Sequence, residues 1–269
     1  MELIDLFGYF CALLIGLILG LIGGGGSILA VPVLVYLFAL DETLATAYSL
    51  FIVGSSALFG GYQQFVKGNV DFKTAVVFGI PAIISVTLVR SLLIPALPDT
   101  LFSLGQVSVN RRMGILGLFA LVMIPAAVSM LKPTQKKDLS NDAKQKIYNY
   151  PLVVIEGSII GAITGLVGAG GGFLIIPALV ILSKLNIKKA IGTSLVIVTL
   201  KSLSGFFLGD AITLNIDWYF LLSFTTIAIA GIFIGTRINT IVDGHKLRKG
   251  FGYFILIMAV FIYYMEFIN

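Results

Sequence analysis

Two glycine runs interrupt this chain, and they do so at equivalent places. The first is Leu21-Ile-Gly-Gly-Gly-Gly-Ser-Ile-Leu-Ala-Val-Pro32, and the second is Leu166-Val-Gly-Ala-Gly-Gly-Gly-Phe-Leu-Ile-Ile-Pro177. Pro32 and Pro177 lie 145 residues apart, and the same offset relates Gly20 to Gly165. Glycine has no Cβ and tolerates positive φ, so a run of it breaks a helix and admits another backbone or a ligand. Both runs sit inside long apolar stretches. A break at membrane depth leaves backbone N–H groups unpaired, which is tolerated only where protein buries them or a cavity receives them.

Composition places those stretches in lipid. The 269 residues are 58% hydrophobic and only 12% charged, with a mean hydropathy of +1.04, far from the charged surface of a soluble domain. Apolar runs recur along the whole length, which excludes a single membrane anchor. Cys11 is the one cysteine, so neither an internal disulfide nor a multi-cysteine metal site is expected. Glu2 and Asp5 stand where a cleaved signal peptide would carry Lys or Arg, so the first apolar segment is expected to stay in the mature protein. The formal charge of +5 reads as membrane topology, with no nucleic-acid partner.

A spanning helix needs roughly 20 apolar residues to cross a hydrocarbon core about 30 Å thick. Leu3–Ile22 has that length, whereas Ile28–Leu40 is nearer a half-span. They are expected to form two crossings or one re-entrant hairpin, with the glycines at the bend. Leu44–Val66, Phe72–Leu93 and Met113–Leu131 complete the first half. A polar linker over 132–150 separates it from Pro151–Val167, Phe173–Leu182, Ala190–Leu208, Trp218–Thr236 and Phe251–Phe267. Segments so long and uniformly apolar read as helices, not barrel strands. The expected organisation is therefore a first transmembrane repeat over 1–131, a cytoplasmic linker over 132–150 and a second repeat over 151–269.

The repeat extends well past the glycines. The offset of 145 pairs Ala45 with Ala190, Ser49 with Ser194, Leu58 with Leu203 and Gly60 with Gly205, and one further residue pairs Asp71 with Asp217. Lys67 and Lys73, the lysines of the linker (Lys132, Lys136, Lys137, Lys144 and Lys146), Lys184 with Lys188 and Lys189, and Arg237 with Lys246, Arg248 and Lys249 mark one side of the membrane. By the positive-inside rule that side is cytoplasmic, which puts Asp41, Glu42, Asp99, the Asp210–Asp217 loop and both termini outside. Five segments per half is an odd number, so the repeats are expected to be inverted. Arg90, Arg111 and Arg112 fall on the outer side and are exceptions.

Inverted repeats with broken helices meeting near the midplane are the build of secondary transporters. The N–H groups of such breaks, at the start of the following half-helix, form an anion site. The plainer reading, that the glycines only permit close helix packing, loses ground because the breaks are matched. Neither run leads into the Lys-Ser/Thr of a phosphate loop. Lys201 lies inside an apolar run, where an ammonium costs at least ~2.5 kcal/mol unless it meets a cavity or counter-ion, or its stem snorkels to the outer interface. Ser194 and Lys201 share a helix face with Gly205, and Ser49, Ser56 and Gly60 share the matching face. The candidate anion-binding residues are thus Gly23, Gly24, Gly25, Gly26, Ser27, Ser49, Ser56, Gly168, Gly170, Gly171, Gly172, Ser194 and Lys201. Gln63 and Gln64 are expected to end their helix near headgroups, and Glu156 to be a solvated interfacial carboxylate. Asp71 and Asp217 are expected helix N-caps, and Trp218, Tyr263 and Tyr264 interfacial belt residues. His245, in a basic loop, has little to support a metal or catalytic role.

The glycine break followed by an apolar-Pro step, present in both halves, resembles the sulfite exporter TauE/SafE family of bacterial membrane transporters. Gly20–Pro32, Ala45–Gly61, Gly165–Pro177 and Ala190–Gly209 carry the resemblance. It implies movement of small sulfur-containing anions, sulfite or organosulfonates, across the plasma membrane. The expected protein is an all-α polytopic membrane transporter working by alternating access, with proton or sodium as the coupling ion and no other cofactor. A passive anion channel, or a transporter of another small anion, is the alternative. An intramembrane enzyme would need clustered His, Asp or Glu at membrane depth, which the sequence does not offer.

Overall fold

The computed structural model describes residues 3–104, 107–131, 150–181, 183, 185–239 and 244–268. The expected linker lysines, and Lys184, lie outside the described residues, as do the side chains of His245, Lys246 and Arg248.

Helices form where the apolar runs predict them. In the first half α1 is Leu3–Ile22, and α2 is Ser27–Pro32, prolonged by a π-helical turn over Val33–Leu37. Then come α3 (Glu42–Val66) and α4 (Phe72–Leu88), the latter continuing through a π-helical turn Val89–Leu93 to Ala96, and α5 (Arg111–Leu131). The second half holds α6 (Tyr150–Val167), α7 (Gly172–Ile181) and α8 (Ile187–Gly205), which runs on through a π-helical turn Phe206–Asp210 to Thr213. It ends with α9 (Trp218–Ile238) and α10 (Gly244–Phe267). Among the described residues, five stretches are long and apolar enough to cross a membrane: Glu42–Val66, Phe72–Ala96, Arg111–Leu131, Ile187–Thr213 and Trp218–Ile238. The protein is an all-α polytopic membrane protein. On α4 the outward stripe Val76, Ile80, Ile84 and Leu88 is exposed and apolar, while Ala75, Phe78, Ala82 and Val86 are buried; apolar residues all round a helix whose one face is open are solvated by lipid.

Caps set several helix starts. Asp71 Oδ1 accepts from the Thr74 amide at 2.9 Å and Asp217 Oδ1 from the Phe220 amide at 3.0 Å, as the sequence predicts. Asp41 and Asn186 do the same for α3 and α8. The hairpin between α4 and α5 has no counterpart in the sequence reading. Strands β1 (Thr100–Leu104) and β2 (Val107–Asn110) pair antiparallel. The helical tail stops at Ala96, just ahead of Pro98, as a residue before proline avoids the helical region; VSVN then alternates with the two-residue period of strands, while the adjacent Leu101 and Phe102 of β1 fall where the pairing register shifts.

The halves interlock. The main partner of α1 is α9, and by the repeat offset the main partner of α6 is α4. The equivalent helices pack on each other, α3 on α8 and α5 on α10. Small residues make the α1/α9 crossing close: a Cβ added to Gly16 would stand 1.8 Å from the Ala228 carbonyl oxygen, and one on Gly235 2.2 Å from that of Leu17. Helices in lipid associate through such glycine surfaces because no hydrophobic drive separates helix from lipid. Gly16→Val is therefore expected to cost more than about 3 kcal/mol, since backbone cannot yield as a side chain does; thermal unfolding in detergent measures it. Between α3 and α8 the contacts run in opposite senses: Leu50 meets Gly205, Gly54 meets Leu203, and Gly61 meets Leu195. The two helices are antiparallel.

Ion pairs gather at one end. Arg111 bonds Glu42 at 3.0 Å and approaches Asp99 at 3.5 Å, and Arg112 bonds Glu266 at 3.1 Å. Arg90 pairs with Asp210 at 3.3 Å. The three arginines that are exceptions to the charge rule are thus each matched by a carboxylate. Gln64 departs from expectation: it is buried and accepts from Asn69 Nδ2 at 2.9 Å, so it fixes the turn after α3 and does not reach headgroups. Glu156 is partly exposed, and Trp218, Tyr263 and Tyr264 are exposed at 45%, 54% and 53% as belt residues would be.

Candidate functional site

Each glycine run reverses the chain. Gly23 has φ +77° and Gly168, its repeat equivalent, +71°; this is a left-handed conformation that costs an L-residue roughly 1–2 kcal/mol. The chain comes back far enough that a Cβ on Gly26 would stand 2.0 Å from the Ile15 carbonyl oxygen, and one on Gly171 2.0 Å from Thr164 Cγ2. The helices that follow, α2 with its π-turn and α7, are short, about half the core thickness at 1.5 Å per residue. The glycines are at a bend, as expected.

The two bends meet. A Cβ on Gly24 would lie 2.4 Å from Gly172 Cα, and one on Gly172 2.3 Å from Gly24 Cα. Backbone therefore crosses backbone with no side chain between. Around this crossing the halves exchange partners. Gly23 packs on Ile191 of α8, and Gly168 packs on Thr46 of α3, positions related by the same offset of 145. Asp71 N donates to Thr193 Oγ1 at 2.9 Å, and Asp217 N to Tyr48 OH at 2.7 Å, which repeats the exchange farther out.

The candidate residues divide by what their polar atoms already do. Ser27 donates to the Gly24 carbonyl at 2.8 Å, and Ser194 to the carbonyls of Gly23 at 2.7 Å and Ile191 at 2.8 Å. In this conformation both hydroxyls hold the first loop in place. Ser49 and Ser56 are fully buried, and their hydroxyls have no partner among the described residues. Both lie on the α3 stripe of Val53, whose side chain touches Gly170. The amides of Gly24, Gly25, Gly26, Gly170 and Gly172 likewise donate to no acceptor among the described residues, whereas Gly23 N and Gly168 N close the preceding helices. Successive unpartnered amides form an anion-binding concavity.

Lys201 does not snorkel. Its side chain is fully buried, its Nζ donates to Thr164 Oγ1, and a Cβ on Gly171 would stand 3.1 Å from that nitrogen. No ion pair among the described residues includes it. Its repeat equivalent is Ser56, and that of Thr164 is Leu19. The second loop therefore carries an ammonium and a hydroxyl where the first carries a hydroxyl and a leucine. Thr164 is absent from the candidates because its helix turn lies before the glycine run; the offset from Leu19, a polar residue replacing an apolar one, is the signal that marks it. Among the described residues no group of His, Cys, Asp and Glu is arranged to hold a metal ion.

An all-α polytopic protein whose two broken helices cross backbone on backbone at a buried, carboxylate-free ammonium is a membrane transporter in build. Comparison with known proteins gives the same class. The family described as sulfite exporter TauE/SafE matches residues 9–262, and this chain belongs to that family. A probable membrane transporter protein of Xylella fastidiosa (strain 9a5c) is 29% identical over 258 residues, covering 93% of this chain and 91% of its own. The probable membrane transporter protein YunE of Bacillus subtilis (strain 168) is 26% identical over 240 residues, covering 84% and 85%. A probable membrane transporter protein of Haemophilus influenzae is 24% identical over 268 residues, covering 92% and 93%. No solved structure is significantly similar to the chain.

Proposed function

We propose that the protein is a secondary transporter of a small sulfur-containing oxyanion, sulfite or an organosulfonate, in a bacterial plasma membrane. The observation that carries this reading is Lys201: a fully buried ammonium with a hydroxyl partner and no carboxylate, beside loop amides that lack acceptors. A charge in such a place is expensive unless a counter-ion arrives, and the substrate is that counter-ion. Lys201 supplies charge, the amides of the two glycine loops supply hydrogen bonds, and Ser49 and Ser56 lie on the facing helix with free hydroxyls. The name of the family, sulfite exporter, supports the sulfur anion.

The repeats are inverted in this reading. Its support is the antiparallel run of the equivalent helices α3 and α8 and the reciprocal exchange of α1/α9 with α6/α4. In this reading alternating access does not rock one sequence half on the other, because the principal packing crosses between halves. The moving units are mixed pairs, α1 with α9 and α4 with α6, turning about the α3/α8 axis with proton or sodium as the coupling ion. Both termini lie outside.

Lys201→Met keeps the stem and removes the charge. It is expected to weaken binding of sulfite or sulfoacetate at least tenfold, read by calorimetry on the purified protein, with thermal unfolding unchanged or raised because a buried charge is gone. Unchanged affinity removes Lys201 from the site. Failure of sulfite, sulfoacetate, taurine and thiosulfate alike to bind the wild-type protein overturns the sulfur-anion assignment.

A further inference from the structure

Arg90 stands apart from the site described above. It is fully buried in the π-helical turn Val89–Leu93, facing the π-helical turn Phe206–Asp210 of α8. A Cβ added to Gly209 would lie 2.6 Å from Arg90 Cβ, so glycine is what lets the turns approach. π-helical turns widen a helix by one residue and recur at functional positions.

The guanidinium is half used. Nη1 donates to Thr46 Oγ1 at 3.1 Å and to Asp210 Oδ1 at 3.3 Å. Nε and Nη2 have no partner among the described residues, and neither does Asp210 Oδ2. Nε and Nη2 form one edge of the guanidinium, the edge that presents two parallel N–H groups to two oxygens of a carboxylate or a sulfur or phosphorus oxyanion. A buried donor without an acceptor costs about 1–3 kcal/mol, more when charged. Two on one edge leave room for a pair of acceptor oxygens that the described residues do not supply.

The position also adjoins the second glycine loop. Arg90 holds Thr46, and Thr46 packs against Gly168, the first residue of the second glycine loop. Lys201 stands at Gly171, at the other end of that loop. The loop thus has a buried cation at each end.

We propose that Arg90 is a second oxyanion-binding residue, its Nε–Nη2 edge taking two oxygens of a sulfonate, sulfate or carboxylate group beside the second glycine loop. Asp210 is the counter-ion when the position is empty. The edge is closed to solvent here, so an anion reaches it as the two π-turns part. The proposal rests on the transport reading only for the anion's route; binding at Arg90 does not require Lys201.

The test is binding of methanesulfonate, sulfate and acetate to the purified full chain, measured by calorimetry and by anion-dependent thermal shift, with chloride as the control without an oxygen pair. The double variant R90Q/D210N replaces the ion pair by a neutral hydrogen-bonding pair of similar volume, so its melting temperature without anion stays near the wild type. The oxyanion binding event that survives in K201M is expected to weaken at least tenfold in this double variant. Arg90→Lys keeps the charge and the Asp210 partner but has no two-pronged edge, and it is expected to lose affinity to a similar extent if the double variant does not fold. Asp210→Asn removes the competing carboxylate and is expected to tighten binding several-fold, with a larger anion-dependent shift. That binding event within twofold of wild type in R90Q/D210N, or in R90K, overturns the proposal, as does weakened binding in D210N, which would make the pair a structural clamp. Loss of binding in K201M alone keeps the central site and overturns the Arg90 position. Loss in R90Q/D210N alone keeps Arg90 and overturns the central site. A wild-type protein that binds no oxyanion overturns both.

Discussion

Gly24→Ala is expected to lower the melting temperature steeply and to abolish transport, although it adds a single methyl group. The new Cβ would stand 2.4 Å from Gly172 Cα, 2.5 Å from its carbonyl carbon and 2.8 Å from its oxygen. All three atoms are backbone, so no rotamer change relieves the contact, and the loops must separate by about 1 Å to reach ordinary van der Waals distance. Overpacking in cores costs roughly 1–3 kcal/mol where side chains can shift; a backbone crossing lies at or above the top of that range. The separation also pulls Gly23 from Ile191 and the Ser194 hydroxyl from the Gly23 carbonyl. Gly172→Ala makes the same clash from the other side, 2.3 Å from Gly24 Cα, so the two substitutions share one relaxation. The double variant is expected to lose clearly less than the sum of the singles, the mark of coupled sites. Gly61→Ala is the control. Its Cβ would find its nearest neighbours at 3.6 Å, and inside a helix such as α3 alanine is a better helix former than glycine by about 1 kcal/mol. Thermal unfolding of the four proteins in one detergent decides the matter: additive losses at Gly24 and Gly172 would mean the loops do not cross there.

What the sequence shows and hides follows from which interactions are local. The apolar runs, the glycine bends and the caps at Asp71 and Asp217 are properties of adjacent residues, and the structure places them as read. The offset of 145 is also legible, since Gly, Ser and Pro keep register across it. Partner choice is not legible. Arg90 and Asp210 lie 120 residues apart and are not related by the repeat, so no periodicity joins them; on sequence Arg90 looks like a stray positive charge on the wrong side. The pairing of α1 with α9 across the halves is hidden for the same reason, because glycine faces such as Gly16–Gly20 and Gly231–Gly235 say that a helix packs closely but not on what. Lys201 is visible in the sequence as an oddity, and only its burial and its contact with Thr164 decide against a snorkelling stem. The pairing of β1 with β2 is not legible because segments of four or five residues are a weak signal beside twenty-residue apolar runs.

Gly171→Ala is expected to separate the cost of the bend from the cost to the site. Gly171 has φ +65°, so any L-residue there carries roughly 1–2 kcal/mol of backbone strain. The added Cβ would also stand 2.0 Å from Thr164 Cγ2 and 3.1 Å from Lys201 Nζ. Thr164 must then turn or retreat, and its Oγ1 is the one described partner of the Lys201 ammonium. Gly171→Ala should therefore fold less stably and bind sulfite or sulfoacetate at least tenfold more weakly. Thr164→Ser removes the methyl in the way and keeps the hydroxyl, so alone it is expected to change affinity little. Combined with Gly171→Ala it relieves the steric part and leaves the strain, which predicts a double variant with affinity largely restored but stability still lowered by the backbone term. Thr164→Val, which keeps the shape and removes the acceptor, should rescue neither. Binding by calorimetry and unfolding by temperature read the two costs separately on the same samples. If Thr164→Ser restores stability but not affinity, the hydroxyl at 164 does not position Lys201, and the ammonium must be held for the anion by the loop amides instead.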